Sequence, residues 1–575
     1  MTRSDPTRLG PQERVAALDR LDGGSFDVVV IGGGVTGVGC ALDAATRGLS
    51  VALVEQRDLA AGTSSRSSKL IHGGLRYLER LDFGLVHEAL RERSLLVSLL
   101  APHLVRPLRF VYPLRHHVWE RAYVGAGILL YDALAARGHN PLQGHRHLSR
   151  RGVLEKMPAL RRDALVGGIE YSDAQVDDAR HTMMVGRTAA GLGATVATSV
   201  RASGMRIESG HVVGVDAVCL ETGRRLAIGA RVVVNATGVW TDRVEDLSGH
   251  DALRVTASKG IHLVVPRDRI AAECGMIIRT EKSVLFLIPW GDHWIIGTTD
   301  TAWDLDLAHP AASRTDIDYL LGHVNEVLAR PLERDDVVGV YAGLRPLLAG
   351  ESDATSKLTR EHAVVETAPG LVTVAGGKYT TYRVMAEDTI DAAVASWRPA
   401  PAPSATRRTP ILGADGYAEM MAGRSGLAAD SGLAVERIDH LLGRYGDRVT
   451  DLLGEVERDP ELAAAIPGAP GYLLVEAGYA VSHEAALHLD DVLTRRTRIS
   501  IETPDRGLEA AAAVVPLMAA ELGWDEATVA REMAHYRARV EAERQSQTMP
   551  DDHTADAARL GAPDVRMGMR TSKDD

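Results

Sequence analysis

At 575 residues the chain exceeds what one hydrophobic core serves, since cores stop growing near about 250–300 residues, so two or three domains are expected. A 45% hydrophobic, 25% charged composition is that of a soluble globular protein. The net charge of −12 excludes a global attraction to nucleic acid or anionic lipid, so an anionic substrate would need a local basic cluster.

The opening residues are polar and lack a continuous apolar stretch, which argues against a signal peptide and suits an N-terminal arm over residues 1–25 or a short helix. Residues 26–31 are a nearly continuous apolar run, as in a strand buried on both faces of a parallel sheet. A glycine turn, a helix to about Arg47 and a second apolar strand over 51–54 complete a βαβ unit. Residues 177–192 read as a helix, and 194–200 and 231–235 as further strands of the same layer. From about 254 to 345 short β runs at 262–265, 283–288 and 294–297 alternate with turns, and a helix follows over about 315–329, which reads as an inserted antiparallel sheet. The Pro/Ala-rich stretch 397–410 is a linker, because proline cannot continue a helix. Beyond it, residues 401–545 form a helical domain, with apolar residues at helical spacing in 438–442 and 510–522. Residues 546–575 are polar and aromatic-free and read as a flexible tail. No apolar run reaches the roughly 18 residues that span a bilayer.

Cys40, Cys219 and Cys274 form no CxxC pair, which excludes a disulfide framework and suits a reducing cytoplasm. Cys40, in the apolar helix after the glycine turn, reads as core packing. No His/Cys/Asp/Glu cluster has metal-ligand spacing, so no metal is expected.

The glycine turn carries the first chemistry. Gly32-x-Gly34-x-x-Gly37 follows a strand and opens a helix: Gly32 permits the tight turn, Gly34 lets backbone approach a pyrophosphate, and Gly37 lets helix pack on strand. The helix N-terminus then offers free N–H groups and positive dipole to phosphates. Glu55 ends the second strand roughly 20 residues on, where such a motif places a carboxylate for ribose hydroxyls. That carboxylate would repel the 2′-phosphate of NADP, but the motif leaves FAD and NAD both open.

Three later segments narrow the choice: LAAGTSSRSSKLIHGGLRYLE over 59–79, NATGVW over 235–240 and TVAGGKYTTYR over 373–383. With EYSDAQVDDAR, KGIHLVVP, IIGTTD and GLRPL, the chain from about 26 to 387 resembles the FAD-dependent glycerol-3-phosphate dehydrogenases, within the D-amino-acid-oxidase-like flavoproteins. The resemblance implies an α/β protein with a Rossmann-like, GR2-type FAD-binding domain spanning 26–400, its inserted antiparallel β substrate domain at about 254–345, and a C-terminal helical domain. It implies FAD held by Gly32, Gly34, Gly37 and Glu55, by Thr63, Ser64, Ser68 and Lys69, and by Gly238, Gly376, Gly377 and Thr380.

The implied reaction oxidises sn-glycerol 3-phosphate to dihydroxyacetone phosphate, with a hydride moving from C2 to flavin N5 and a proton leaving the C2 hydroxyl. The family places Arg76, Tyr77, Arg345, Arg360 and Lys378 around the substrate. Arginine suits the phosphate because its planar fork binds oxygens in pairs. His262 is the favoured proton acceptor, a neutral imidazole on a strand, with His72 and Lys378 as rivals. Arg345 and Lys378 would also favour the developing alkoxide electrostatically.

Only one dinucleotide fingerprint is present, which argues against NAD as acceptor; the resemblance implies a quinone, reached by peripheral contact with the inner face of the cell membrane. Residues 106–131 place Arg106, Arg109, Arg115 and Arg121 amid Trp119, Tyr123 and apolar residues, which suits either an interfacial segment or a core helix with a charged face. Oxygen as acceptor, an amine or amino-acid oxidase of the same fold, and a flavin-bearing interaction protein remain alternatives. The helical C-terminal domain leaves capping and homodimerisation open.

Overall fold

The computed structural model describes residues 5–74, 82–116, 118–136, 142–249, 253–280, 284–348 and 361–566. The apolar strand Ser25–Ile31 lies at the centre of the first sheet, paired in parallel with Val51–Val54 and with Arg225–Asn235. Thr195–Ala197 and Leu371–Gly376 extend it in parallel on either side. Val28, Val29 and Val30 are fully buried because both faces are covered. On one face lie the helices Val35–Thr46, Asp178–Gly191 and Tyr382–Val394, sharing a core of Val38, Ala41, Met184, Met385 and Ile390. On the other, Val200–Glu208 and His211–Cys219 form an antiparallel flap that pairs with the start of Arg225–Asn235.

The strand expected over 194–200 is two strands, broken where Ser199 adopts φ 51, in the left-handed region no strand continues through. The expected N-terminal arm contains the helix Pro11–Leu21, which buries Leu18 and Leu21 against the flap side of the sheet.

The second sheet differs from the expected single insertion at 254–345. Its centre is there: Val255–Pro266 runs antiparallel to His293–Gly297 and to Gly339–Leu348. However, Leu70–Ile71, Val105–Leu114, Arg146–Ser149 and Gly167–Val176 also belong to it, joined through the parallel pairing of Val105–Leu114 with Gly275–Arg279. Residues 106–131 are therefore half strand and half helix, the helix being Trp119–Ala136. Such pairing is long-range, and a basic, aromatic-rich strand carries no local sign of it. The helix Arg314–Asn325 packs Ile317, Leu320 and Val324 on the sheet beside Leu263, Leu287 and Ile296.

The C-terminal region is helical, with Val435–Tyr445, Leu474–His483, Leu508–Leu522 and Glu526–Ser546 its main helices. It caps the cofactor-binding layer through buried ion pairs. Arg496 grips both oxygens of Asp58 at 2.7 Å, and Arg498 reaches Asp178 at 2.5 Å. Buried arginines need such partners, since an uncompensated buried charge costs several kcal/mol.

The expected flexible tail is packed as far as it is described. Asp552–Arg559 is a helix, Ala555 is fully buried and Arg566 is 3% exposed. Polar composition suggested disorder, but the segment is held by ion pairs and by the burial of Ala555 in an apolar cluster. Among the described residues no helix is long and apolar enough to cross a membrane.

Candidate active site

A cavity of about 650 Å³ lies between the two sheets, within the size range of cofactor sites. The glycine turn forms one stretch of its wall, with Gly32, Gly34, Val35 and Thr36 all lining it. Gly37 lies behind the wall, where a Cβ would stand 1.9 Å from the Gly32 carbonyl oxygen, so only glycine lets the helix close on the turn. Gly34 caps that helix with no side-chain bond of its own, and Ser64 takes up Val35 N at the first helical position. Glu55 lines the cavity and also shapes the turn, accepting from Gly33 N at 2.6 Å and from Arg57 N at 2.8 Å. Burial raises its carboxyl above the usual range, although those two backbone bonds oppose the rise.

The loop after Gly62 threads between both sheets and sets three hydroxyls. Thr63 donates to Leu344 O at 2.7 Å, Ser64 Oγ accepts from Val35 N at 2.9 Å, and Ser68 Oγ meets His262 Nε2 at 2.9 Å. All three residues line the cavity. Lys69, expected beside the flavin, is instead fully buried outside the lining, its ammonium 2.8 Å from Asp178. Asp178 also accepts from the Ser67 backbone and hydroxyl, so this ion pair holds the loop rather than a ligand. Thr380, Gly376 and Gly377 line the cavity from the last parallel strand, and Gly238 from the NATGVW turn. Thr380 Oγ1 bonds both His72 N and His72 O, stitching that turn to the segment bearing His72.

At this end stand His262, Arg345 and Lys378, together with His72. His262 is on the central strand of the second sheet and Arg345 on its neighbour, while Lys378 follows the last strand of the first sheet. The His262 ring stacks on Tyr341 at 4.7 Å and 11°, and Tyr341 is held by donating to Ser67 O. Gly297 faces the imidazole across the ladder, where a Cβ would come within 2.3 Å of the ring. Burial, and then the charges of Arg345 and Lys69, push the His262 pKa well below its ordinary value. Arg345 is steadied by Thr298 Oγ1 at 3.2 Å and Thr299 O at 3.3 Å, with Asp300 at 3.5 Å. Arg76, Tyr77 and Arg360 lie outside the described residues.

Arg66 was not singled out in the sequence, yet it lines the cavity and donates with Arg57 to Ala308 O. Burial, then repulsion from Arg57, Arg495, Arg559 and Arg539, brings its guanidinium down to about 9. Only its place within TSSRSSK hinted at a role, because the arginines crowding it come from elements far apart in the chain.

Comparison with known proteins shows the family. Residues 27–383 match the family model DAO, FAD dependent oxidoreductase, and residues 404–529 match that of the C-terminal domain of alpha-glycerophosphate oxidase. Glycerol-3-phosphate dehydrogenase 2 of Mycobacterium tuberculosis is 58% identical over 559 residues, 97% of this chain and 95% of that protein. The chain belongs to the FAD-dependent glycerol-3-phosphate dehydrogenase family. The mitochondrial glycerol-3-phosphate dehydrogenase of Homo sapiens is 38% identical, over 91% of this chain and 74% of its own length. The crystal structure of the Bacillus halodurans glycerol-3-phosphate dehydrogenase complexed with FAD superposes with a TM-score of 0.77 at 29% identity, covering 92% of this chain and 98% of that one. The cofactor of this family member is FAD, and the cavity volume, the glycine N-cap of the helix and the close-packed Gly37 all fit it.

Proposed function

We propose that the protein oxidises sn-glycerol 3-phosphate to dihydroxyacetone phosphate and delivers the electrons to a quinone. The observation that carries this reading is that His262, its imidazole kept neutral by burial and by Arg345, lines the same cavity as Arg345 and Lys378. A dianionic substrate suits two cations in one wall, whereas an amino acid offers only a monoanionic carboxylate. Bound FAD supplies the acceptor for the hydride from C2. Arg345 and Lys378 hold the phosphate, with Arg76, Tyr77 and Arg360 assigned to the same cage by family resemblance. His262 takes the C2 hydroxyl proton at Nε2, through or in place of the Ser68 hydroxyl that meets it. Arg345, whose charge adds to burial in keeping His262 neutral, also lowers the energy of a developing alkoxide. Gly32, Gly34, Glu55, Thr63, Ser64, Gly238, Gly376, Gly377 and Thr380 line the cofactor's share of the cavity, with Gly37 behind it.

A quinone resides in a bilayer, and one helix is suited to lie on that surface. Trp119–Ala136 exposes Trp119, Ala122, Tyr123, Ala126, Leu129, Leu130 and Ala133 at three- and four-residue spacing, an apolar stripe without a charge. Trp119 and Leu129 are each 60% exposed, and Arg115 stands just before the helix. Such a face favours peripheral docking from the inner side of the membrane.

The test is anaerobic reduction. Glycerol 3-phosphate should bleach the flavin absorbance while sarcosine and D-amino acids do not, and flavin-loaded protein that fails to bleach would sink the reading. Reoxidation by a soluble quinone but not by oxygen separates a dehydrogenase from an oxidase. Sedimentation with anionic vesicles, lost in a Trp119→Ser/Leu129→Ser variant, tests the docking face.

A further inference from the structure

The FAD cavity has a second end, marked by Glu55, where a dinucleotide fold places the adenosine ribose. Arg57, Val200, Arg201 and Leu220 form part of its wall. Leu560, Pro563, Asp564 and Arg566, far along the chain, also line the cavity. These residues lie beyond both family matches, which end at residues 383 and 529. We propose that residues 547–566 form a C-terminal strap that completes the adenosine subsite for FAD and restrains its release.

Three observations carry this. The first is the route by which Arg566 reaches the subsite. Its Nε donates to Ser199 Oγ at 2.6 Å, Ser199 N donates to Arg57 O at 2.8 Å, and Val200 N donates to Glu55 O at 2.8 Å. The last described residue is thus tied to the strand end that carries the ribose carboxylate. Its Nη2 also holds Asp491 Oδ2 at 2.9 Å, which pins the same turn to the C-terminal domain.

The second is that the strap is anchored independently of any ligand. Lys259, fully buried, places its ammonium on Asp316 at 2.6 Å and on Asp552 of the strap at 2.5 Å. Arg314 N donates to Met549 O at 2.8 Å and Thr315 Oγ1 to Pro550 O at 2.5 Å. Ala555 enters an apolar cluster with Val239, Trp303 and Leu344. The helix Asp552–Arg559 therefore stands where it does because of the second sheet, and it delivers residues 560–566 to the cavity.

The third is the chemistry presented there. Leu560 is 48% exposed although it lines the cavity, an apolar surface that a purine face would cover. Asp564, whose Oδ1 accepts from Arg566 N at 3.0 Å, adds a carboxylate to this wall that can accept from a ribose hydroxyl or an exocyclic amine.

The proposal rests on FAD being the cofactor and is tested on binding rather than turnover. Two full-length variants, Leu560→Asp and Asp564→Asn, and one chain ending at Leu560 would be stripped of flavin. Each would then be titrated with FAD by fluorescence quenching, with ADP as a competitor carrying the adenosine half alone. Circular dichroism and melting temperature establish that each variant is folded. FAD affinity should fall about tenfold or more, ADP displacement should weaken by a similar factor, and FAD release on dilution should speed up accordingly. Unchanged affinities for both ligands in the folded variants would overturn the strap. Loss of FAD affinity with ADP affinity intact would do so too, because it places the damage at the flavin end. A wild-type protein that binds no FAD would instead remove the cofactor assignment and the strap with it.

Discussion

At the glycine end of the cavity the essential contacts arise within one βαβ unit: Gly37 closes on Gly32, and Glu55 accepts from Gly33 and Arg57. At the reacting end, His262 and Arg345 come from two strands of the second sheet, Lys378 from the first sheet, and the charge that helps keep His262 neutral from Lys69 on a loop held by Asp178. The glycine end is a backbone cradle whose tolerances are steric. The reacting end is an electrostatic device whose tolerances are set by buried charge. Steric and electrostatic sites should fail differently, and that contrast can be tested.

The largest effect is expected at the steric end. Gly37→Ala drives a Cβ to 1.9 Å from a carbonyl oxygen, so the purified variant should carry no flavin absorbance. Full flavin content would show that the cradle has slack and would erase the contrast. At the reacting end, Arg345→Gln should keep its flavin but lose about a thousandfold in kcat/KM for glycerol 3-phosphate, as removal of a phosphate-binding charge predicts. His262→Ala should slow flavin reduction about a hundredfold with little change in substrate affinity. Because burial and neighbouring cations hold the His262 pKa well below the ordinary 6.5, the imidazole is already neutral at pH 6.5. Its contribution to the reduction rate should therefore be flat from about pH 8 to pH 6.5. A limb near pH 6.5 that vanishes in His262→Ala would contradict the assigned environment.

A smaller effect tests the charged interface behind both ends. His488 is buried, and burial and Arg566 oppose its protonation, but the hydrogen bonds it donates to Glu221 and Glu532 raise its pKa to about 9. The folded pKa lies above the unfolded value, so this stabilisation is complete below about pH 6.5 and lost as pH rises through about 9. Its size is about 3 kcal/mol. Melting temperatures between pH 7 and 10 should fall for the wild type, and that fall should be blunted in His488→Gln. The smallest effect concerns the thiols. Cys40, Cys219 and Cys274 are buried, and burial lifts the Cys40 thiol to about 12, so a thiol reagent should label none of them until the protein unfolds.

Read residue by residue, the chain's legibility follows the range of the interaction involved. Val28–Val30, the glycine spacing and Glu55 were visible because a buried parallel strand and a phosphate-binding turn are constrained by neighbours in sequence. His262 and Arg345 were located through family resemblance, and nothing local showed that Gly297 makes room for the imidazole or that Tyr341 stacks on it. Lys69 was misplaced because a lysine in a hydroxyl-rich loop looks like a ligand contact until Asp178 and Arg498 are seen beside it.

Two assignments were reversed by packing. The strand Val105–Leu114 was hidden in a basic, aromatic stretch because its partners are Gly167–Val176 and Gly275–Arg279. The terminal residues looked mobile because their order comes from partners such as Lys259, Asp491 and Ser199, none of them near in sequence.

By itself the sequence determined the nucleotide-binding layer, the dinucleotide end of the cavity and the helical character of the C-terminal region. Strand burial, turn chemistry and helical periodicity are written in residues a few positions apart. The tertiary structure decided which strands joined the second sheet, which cations surround the imidazole and where the chain's end returns. Those outcomes depend on pairings between distant segments, and the buried charges involved are tolerable only once their partners have arrived.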